Sequence, residues 1–284
     1  LQAAAEHLFS AGGKRIRPGI VLLISRALAA DGELTPRHRR LAEITEMIHT
    51  ASLVHDDVVD EASTRRGVDT VHSRFDARVA VLAGDFLFAQ ASWHLANLDD
   101  LDVVKLLSRV IMDLADGEVK QGLYRFDTSQ SFETYFEKSY CKTASLIANS
   151  SRAAGVLSEC NPQQLDSLYQ FGRQLGLAFQ VVDDILDFTG SDQQLGKPAA
   201  SDLATGYLTA PTFYALEENP ELGTLIDREF SEAGDLEQAL ELVRSSQAIP
   251  RTRELAEHFA RVSRESLGRL AVSGSKRALL ELPD

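Results

Sequence analysis

The sequence of 284 residues is poor in cysteine and in long apolar runs, and each shortage excludes a class of protein. Cys141 and Cys160 are too few for a disulfide framework and are far from any Cys/His cluster that could bind zinc. No apolar run approaches the roughly eighteen residues of a membrane span, so we expect no transmembrane segment. A reducing compartment fits best, either the cytoplasm or a plastid from which a transit peptide has been removed.

Positive charge is also scarce. Lys and Arg total 29 against 42 Asp and Glu, and the net charge of −13 argues against a nucleic-acid partner. An anionic substrate would have to be held by local basic groups or by metal ions. With 44% apolar residues and no obvious linker, residues 1–284 are expected to form a single domain.

What the chain has in abundance is apolar residues at helical spacing. Leu41, Ile44 and Ile48 form one such series, and another runs from Leu101 to Leu114. No stretch of comparable length alternates with period two. The sequence therefore predicts an all-α fold of about ten or more helices, a count that rests on usual helix lengths.

Two acidic clusters share the pattern Asp-Asp-x-x-Asp, in HDDVVDE at 55–61 and VDDILDF at 182–188, and each follows an apolar helical run. Residues four apart stack on one helix face, and like charges near a core are costly unless a cation joins them. Oxygen ligands without His or Cys favour a hard ion, Mg²⁺ or alternatively Mn²⁺. One such cluster could be a solvated helix end, but two copies favour metal binding. The candidate ligands are Asp56, Asp57, Asp60, Asp183, Asp184 and Asp187.

Basic residues occur in four short segments around these clusters. Each alone is an ordinary surface charge, but together with two metal sites they supply what the binding of two diphosphate groups requires. They are Lys14 and Arg17 in GGKRIRP, Arg65 and Arg66 in TRRG, Lys142 in YCKTA and Lys197 in LGKP.

The order and spacing of five motifs resemble those of the trans-prenyl diphosphate synthases, and the resemblance covers almost the whole chain. The motifs are GGKRIRP, HTASLVHDDVVDEASTRRG, YCKTASL, FQVVDDILDFTG and LGKPAASDL. Two further segments, VAVLAGDFLFAQASWHLANL and SDLATGYLTAP, are similar to the long-chain members, the solanesyl (nonaprenyl) diphosphate synthases of cyanobacteria and plastids. The resemblance implies an isoprenoid-synthase-type antiparallel helical bundle around a deep central cavity. It also implies a homodimer, with peripheral membrane contact for product release.

The resemblance assigns a role to each motif position. The six aspartates would hold three Mg²⁺ on the diphosphate of an allylic primer, and one set of basic residues would bind that same diphosphate. A second set would bind the diphosphate of isopentenyl diphosphate, and two polar residues would support the reacting carbons. The first set is Arg65, Lys142 and Lys197, the second is Lys14, Arg17, His49 and Arg66, and the polar pair is Thr143 and Gln180.

The reaction implied by the resemblance is repeated head-to-tail condensation. The metal ions and basic residues would stabilise the departing diphosphate as the allylic C–O bond ionises to a carbocation. The double bond of isopentenyl diphosphate would attack the cation, and a proton would pass to the departed diphosphate. Each round would leave an all-trans prenyl chain one C5 unit longer, for use in quinone side chains.

The helix before Asp56 bears on product length. A helical turn rises about 5.4 Å, roughly one extended prenyl repeat, so each turn without a bulky side chain would admit about one more C5 unit. Ile48, Ala51 and Ser52 lie on this stretch, and Ala51 and Ser52 are small where short-chain relatives carry an aromatic plug. We therefore expect an open tunnel and a product of about C40–C45. Close helix packing is the alternative reason for the small residues.

The chain departs from the family pattern at one position, and three other functions are alternatives to the long-chain synthase. Relatives often carry Gly-Lys where this chain has Gly206-Tyr207, so one positive charge near the second acidic cluster is missing. Lys197 would then supply more of the positive charge there. A geranylgeranyl diphosphate synthase (C20) would share every motif. A class I terpene cyclase would leave Lys14 and Arg17 without a role, and a silent partner subunit would usually lose an Asp motif, whereas both are intact here.

Overall fold

The computed structural model describes residue 7 and residues 12–65, 67–190 and 200–283. Within these ranges the chain is almost entirely helical, which confirms the all-α prediction. The longer helices are α1 Ile16–Leu28, α2 Pro36–Val59, α4 Ala77–Ala96, α5 Leu101–Leu123, α7 Ser145–Leu157, α8 Pro162–Thr189, α12 Asp235–Ser245 and α13 Ala248–Ser266. The shorter ones are α3 Val71–Arg74, α6 Phe132–Ser139, α9 Ser201–Ala204, α10 Ala210–Glu218, α11 Pro220–Asp227 and α14 Gly274–Glu281.

Irregular elements flank the functional motifs. A π-helical turn, Tyr140–Ala144, joins α6 to α7, and a 3₁₀ turn, Leu267–Arg269, follows α13. Two short strands, β1 Thr64–Arg65 and β2 Val68–Asp69, pair antiparallel after the first acidic cluster. The sequence did not predict these strands, because two residues are too few to show an alternating pattern.

The two helices that carry the acidic clusters start with strong signals. Thr35 caps α2 by accepting a hydrogen bond from the backbone of His38, and Asn161 forms a reciprocal capping box with Gln164 at the start of α8. Each helix also has proline in its first turn. The two acidic clusters lie at the opposite ends of these helices, near the C-termini, where the partial negative charge of the helix adds to the repulsion between carboxylates.

Packing among the helices fixes the positions of the functional side chains. α2 packs against α4, and α8 packs against α7 and α13. The approach of α7 and α8 needs glycine, since a Cβ on Gly172 would lie 2.6 Å from the Ile147 carbonyl oxygen and one on Gly176 would overlap Ala144. This contact brings the π-helical turn against the middle of α8.

Among the described residues, α4 is the one helix that meets the length and composition of a membrane span, with a mean hydropathy of 1.2 in its most apolar window. A third of that window is buried. Ala80, Ala83 and Leu87 on its inner face pack in a cluster with Ala51 and Val54 of α2. The helix therefore packs one face on the helical core, while apolar side chains such as Leu82, Phe86 and Trp93 are exposed on its other face.

Candidate active site

The first acidic cluster occupies the end of α2, and its carboxylates differ in environment. Asp56 is half-buried, Asp60 is exposed where it caps the helix, and Asp57 is buried. Oδ1 of Asp57 accepts a hydrogen bond of 2.6 Å from Nε of Arg65 on β1. The other oxygen, Oδ2, is buried and accepts no hydrogen bond from any described residue. The hairpin thus folds Arg65 back onto the cluster that precedes it.

Lys142 in the π-helical turn supplies positive charge to this cluster. Its Nζ pairs with Glu118 at 2.7 Å and donates to Gln121 Oε1 at 3.0 Å, both on α5. Burial raises the pKa of Asp56 to about 7; the charge of Lys142 opposes this shift and that of Glu118 adds to it. Burial alone would lower the pKa of Lys142, but the nearby carboxylates of Glu118 and Asp56 outweigh it and raise the value.

The second cluster lies in the last two turns of α8. Asp183 is exposed, whereas Asp187 is buried and accepts hydrogen bonds from Ser201 Oγ at 3.2 Å and from the backbone N–H of Asp202 at 3.1 Å. The buried carboxylate of Asp187 thereby anchors α9 to α8. Asp183 is left on the surface of α8, where a ligand can reach it.

A chain of hydrogen bonds links Asp184, the third member of this cluster, to the turn that carries Lys142. Tyr135 Oη donates to Asp184 at 2.6 Å, and Nε2 of Gln180 donates to its other oxygen at 2.9 Å. Oε1 of Gln180 in turn accepts a hydrogen bond of 2.6 Å from Thr143. Burial raises the pKa of Asp184 to about 7, against these two hydrogen bonds, which act to lower it.

The environment of Asp60 involves a residue that is bonded to the second cluster. Burial raises the pKa of Asp60, the charge of Lys142 opposes the shift, and the charges of Glu118 and Asp202 add to it. The backbone N–H of Asp202 donates to Asp187 of the second cluster. Asp202 therefore acts on the first cluster and is hydrogen-bonded to the second.

A third group of predicted residues lies on α2, N-terminal to Asp56, and at the start of α1. His49, Ser52 and Asp56 are spaced to share one helix face. Nε2 of His49 is 3.1 Å from a terminal nitrogen of Arg17, so the two residues stand together. Lys14 is exposed ahead of α1. Arg66 and Lys197 lie outside the described residues.

The residues expected to bear on chain length differ in their surroundings. Ile48 and Ala51 are fully buried, and Ala51 packs with Ala80 and Ala83 of α4. Ser52 is half-buried, and its hydroxyl donates to the His49 carbonyl. Ala51 is thus in the helix contact that the packing alternative describes, whereas Ser52 is on the Asp56 face.

The sequence did not predict several residues that contact the acidic clusters or Lys142. Glu118 and Gln121 hold Lys142, and Tyr135 holds Asp184. Lys138, also on α6, is buried, and its Nζ donates to the Leu208 carbonyl at 3.5 Å. A weak signal was available, since Lys138 and Lys142 repeat at helical spacing in KSYCK, but nothing in the sequence says what they face.

The carboxylates fit a hard divalent ion by chemistry. In the part of the chain that the structure describes, no three Asp, Glu, His or Cys side chains converge as a complete ion cage. Magnesium does not require one, because it usually takes one or two carboxylates together with substrate phosphate and water. The buried, unpartnered Oδ2 of Asp57 and the raised pKa of Asp56 both mark carboxylates whose negative charge lacks compensation.

Comparison with known proteins identifies the family. The family model described as polyprenyl synthetase matches residues 1–243. A prenyl transferase of Synechocystis is 66% identical over 100% of this chain and 88% of its own length. The chloroplastic solanesyl diphosphate synthase 2 of Arabidopsis thaliana is 55% identical over 99% of this chain and 68% of its own length.

A solved structure of a polyprenyl synthase has the same fold as this chain. The polyprenyl synthase from Caulobacter crescentus, complexed with calcium and isoprenyl diphosphate, matches with a TM-score of 0.92 at 35% identity, over 99% of this chain and 87% of that one. The chain therefore belongs to the polyprenyl synthetase family. The predicted isoprenoid-synthase helical fold and the predicted trans-prenyltransferase are confirmed.

Proposed function

We propose that this chain elongates an allylic prenyl diphosphate by repeated condensation with isopentenyl diphosphate, giving a long-chain all-trans product of about C40–C45, the length argued from the rise per helical turn. The observation that supports the proposal is the hydrogen-bond chain from Thr143 through Gln180 to Asp184, which starts beside Lys142, the residue whose charge acts on Asp56. Relatives named prenyl transferase and solanesyl diphosphate synthase support the long-chain product over the C20 alternative.

The residues divide the work as follows. Asp56, Asp57 and Asp60, together with Asp183, Asp184 and Asp187, would hold the metal ions on the allylic diphosphate, and Arg65, Lys142 and Lys197 would bind its oxygens. When bound, three Mg²⁺, or Mn²⁺ in their place, supply the positive charge that makes diphosphate a good leaving group. The calcium and isoprenyl diphosphate in the Caulobacter structure support a divalent ion beside a diphosphate.

The second diphosphate site is built below the first cluster. Arg17 and His49, which stand 3.1 Å apart, bind isopentenyl diphosphate together with Lys14 and Arg66. Thr143 and Gln180 lie between the two clusters, where their hydrogen-bonded pair orients polar atoms toward the reacting carbons. The proton lost after condensation passes to the departed diphosphate, so no protein base is required.

The product of the purified chain tests this function. With Mg²⁺, labelled isopentenyl diphosphate and an allylic primer, we expect labelled prenyl chains of about C40–C45 by the helical-rise argument, sized by chromatography after dephosphorylation. A product that stops at C20 would replace the long-chain assignment by a geranylgeranyl diphosphate synthase. Absence of label from any prenyl chain, with every primer tried, would favour a cyclase or a silent subunit.

Product length follows from Ser52 in this proposal. The tail grows along the Asp56 face of α2, on which Ser52 is half-buried, while Ala51 is fixed in the contact with α4. The tunnel is therefore kept open by the small side chain at 52.

Two phenylalanine variants separate the tunnel from the packing contact. Ser52→Phe is expected to shorten the product to C20 or less while leaving Tm nearly unchanged. Ala51→Phe overpacks the α2–α4 contact and is expected to lower the free energy of unfolding by about 1–3 kcal/mol. Chromatography of the products and thermal melting measure the two effects. Full-length product from Ser52→Phe, with shortened product from Ala51→Phe, would reverse the assignment of the two positions.

The proposal includes a homodimer through the outer face of α4 and α5. Exposed apolar side chains repeat along one face of each helix, and Trp93 and Met112 are 67% and 60% exposed. Patches of this kind mark interaction surfaces. Charged residues such as Arg78 and Asp85 on α4 argue for a second copy of the chain rather than lipid as the partner. The apolar residues are Leu82, Phe86 and Trp93 on α4, and Met112, Val119 and Leu123 on α5.

Sedimentation tests the dimer. The native protein is expected at twice the chain mass of 31.1 kDa. The double variant W93E/M112E should sediment as a monomer, because buried charges oppose association. V272E, which adds one negative charge at a 90% exposed apolar residue outside this face, is the control and should stay dimeric. Dissociation by both variants, or by neither, would contradict this interface.

The proposal also covers the domain organisation, the compartment and the contact with membranes. Residues 1–284 act as one catalytic domain, and the compartment is the cytoplasm or a plastid, in keeping with relatives from cyanobacteria and chloroplasts. The product is strongly apolar, so the enzyme contacts a membrane surface peripherally when it releases it.

A further inference from the structure

Lys138 is a buried cation that lies outside the motifs of the proposed site. It is 9% exposed, on the last turn of α6, four residues before Lys142. Burying an ammonium group without a partner is costly, so its position requires an explanation. Its Nζ donates to the Leu208 carbonyl at 3.5 Å and lies 5.9 Å from the centre of the Tyr135 ring.

Both contacts lead to the second acidic cluster. Tyr135, whose ring the Lys138 ammonium group approaches, donates its hydroxyl proton to Asp184. Leu208 follows the segment that holds Asp187, since Ser201 and Asp202 donate to that carboxylate. Lys138 therefore lies between the cluster on α8 and the chain segment that covers it.

The two lysines of KSYCK thus serve different clusters. Lys142 pairs with Glu118 and acts on Asp56 and Asp60, whereas Lys138 acts on Asp184. The π-helical turn that begins at Tyr140 contains Lys142 but not Lys138, and it widens the helix there.

We propose that Lys138 is a positioning residue of the second acidic cluster: its ammonium group lies over the ring of Tyr135, which donates to Asp184, and donates to the Leu208 carbonyl, so that the cluster is held in place to receive a magnesium diphosphate. The inference rests on the proposed function and deepens it.

The test separates charge from hydrogen bonding. Lys138→Gln keeps a donor for Leu208 but loses the charge, and Lys138→Arg keeps the charge. Lys276, which also donates to a backbone carbonyl, that of Leu270 at 2.7 Å, lies on α14 against α1 and gives the matched control K276Q. Calorimetry measures the binding of inorganic pyrophosphate in the presence of Mg²⁺, and the steady-state KM for the allylic primer is measured in parallel.

We expect Lys138→Gln to weaken pyrophosphate binding about tenfold, the loss of about one charge-assisted contact, with KM for the primer raised similarly. Lys138→Arg and K276Q should bind within about twofold of the native protein, a difference below 0.5 kcal/mol. Native affinity in Lys138→Gln, or equal losses in Lys138→Gln and Lys138→Arg, would overturn the proposal. If Lys138→Gln does not fold, Lys138→Met, which fills the same space, is judged by the same criteria.

The proposed function fails separately from this inference. A native chain that incorporates no isopentenyl unit would refute the function. A native chain that is active, with Lys138→Gln equal to it in pyrophosphate affinity and in KM, would refute only the role of Lys138.

Discussion

Repulsion between carboxylates at the C-terminal ends of α2 and α8 is the interaction on which the rest of the site depends. Six aspartates are placed where the helix termini already carry partial negative charge, and burial raises the pKa of Asp56 and Asp184 to about 7. The surrounding structure offsets part of that charge with Arg65 and Lys142. The charge left uncompensated is what the proposed divalent cation, carried with an anionic substrate, would offset.

The segment from α6 to α7 carries residues that interact with each of the two acidic clusters. Tyr135 and Lys138 face the α8 cluster, and Lys142 faces the α2 cluster through its contacts with α5. Thr143 then closes the path by donating to Gln180. A diphosphate bound beside these residues would therefore meet groups whose positions are fixed by one continuous stretch of helix.

The sequence predicted the helices and both acidic clusters because these depend on local spacing, and the capped, periodic runs before Asp56 and Asp183 left little ambiguity. It could not predict that Glu118, Tyr135 and Lys138 belong to the site, because those contacts depend on how α5 and α6 pack. Nor could it separate Ala51 from Ser52. Two adjacent small residues differ by one helical step, and only the position of α4 decides which is packed.

Thermal melting of the metal-free protein at pH 6 and pH 8, with and without Mg²⁺ and inorganic pyrophosphate, tests the central claim most directly. A carboxyl group whose pKa is raised on folding stabilises the fold while protonated, and that stability is lost as pH rises through about 7. Tm should therefore fall toward pH 8, Mg²⁺ with pyrophosphate should restore it there, and Asp56→Asn should reduce both responses. A Tm at pH 8 that magnesium pyrophosphate leaves unchanged, or an Asp56→Asn variant that responds like the native protein, would contradict the account.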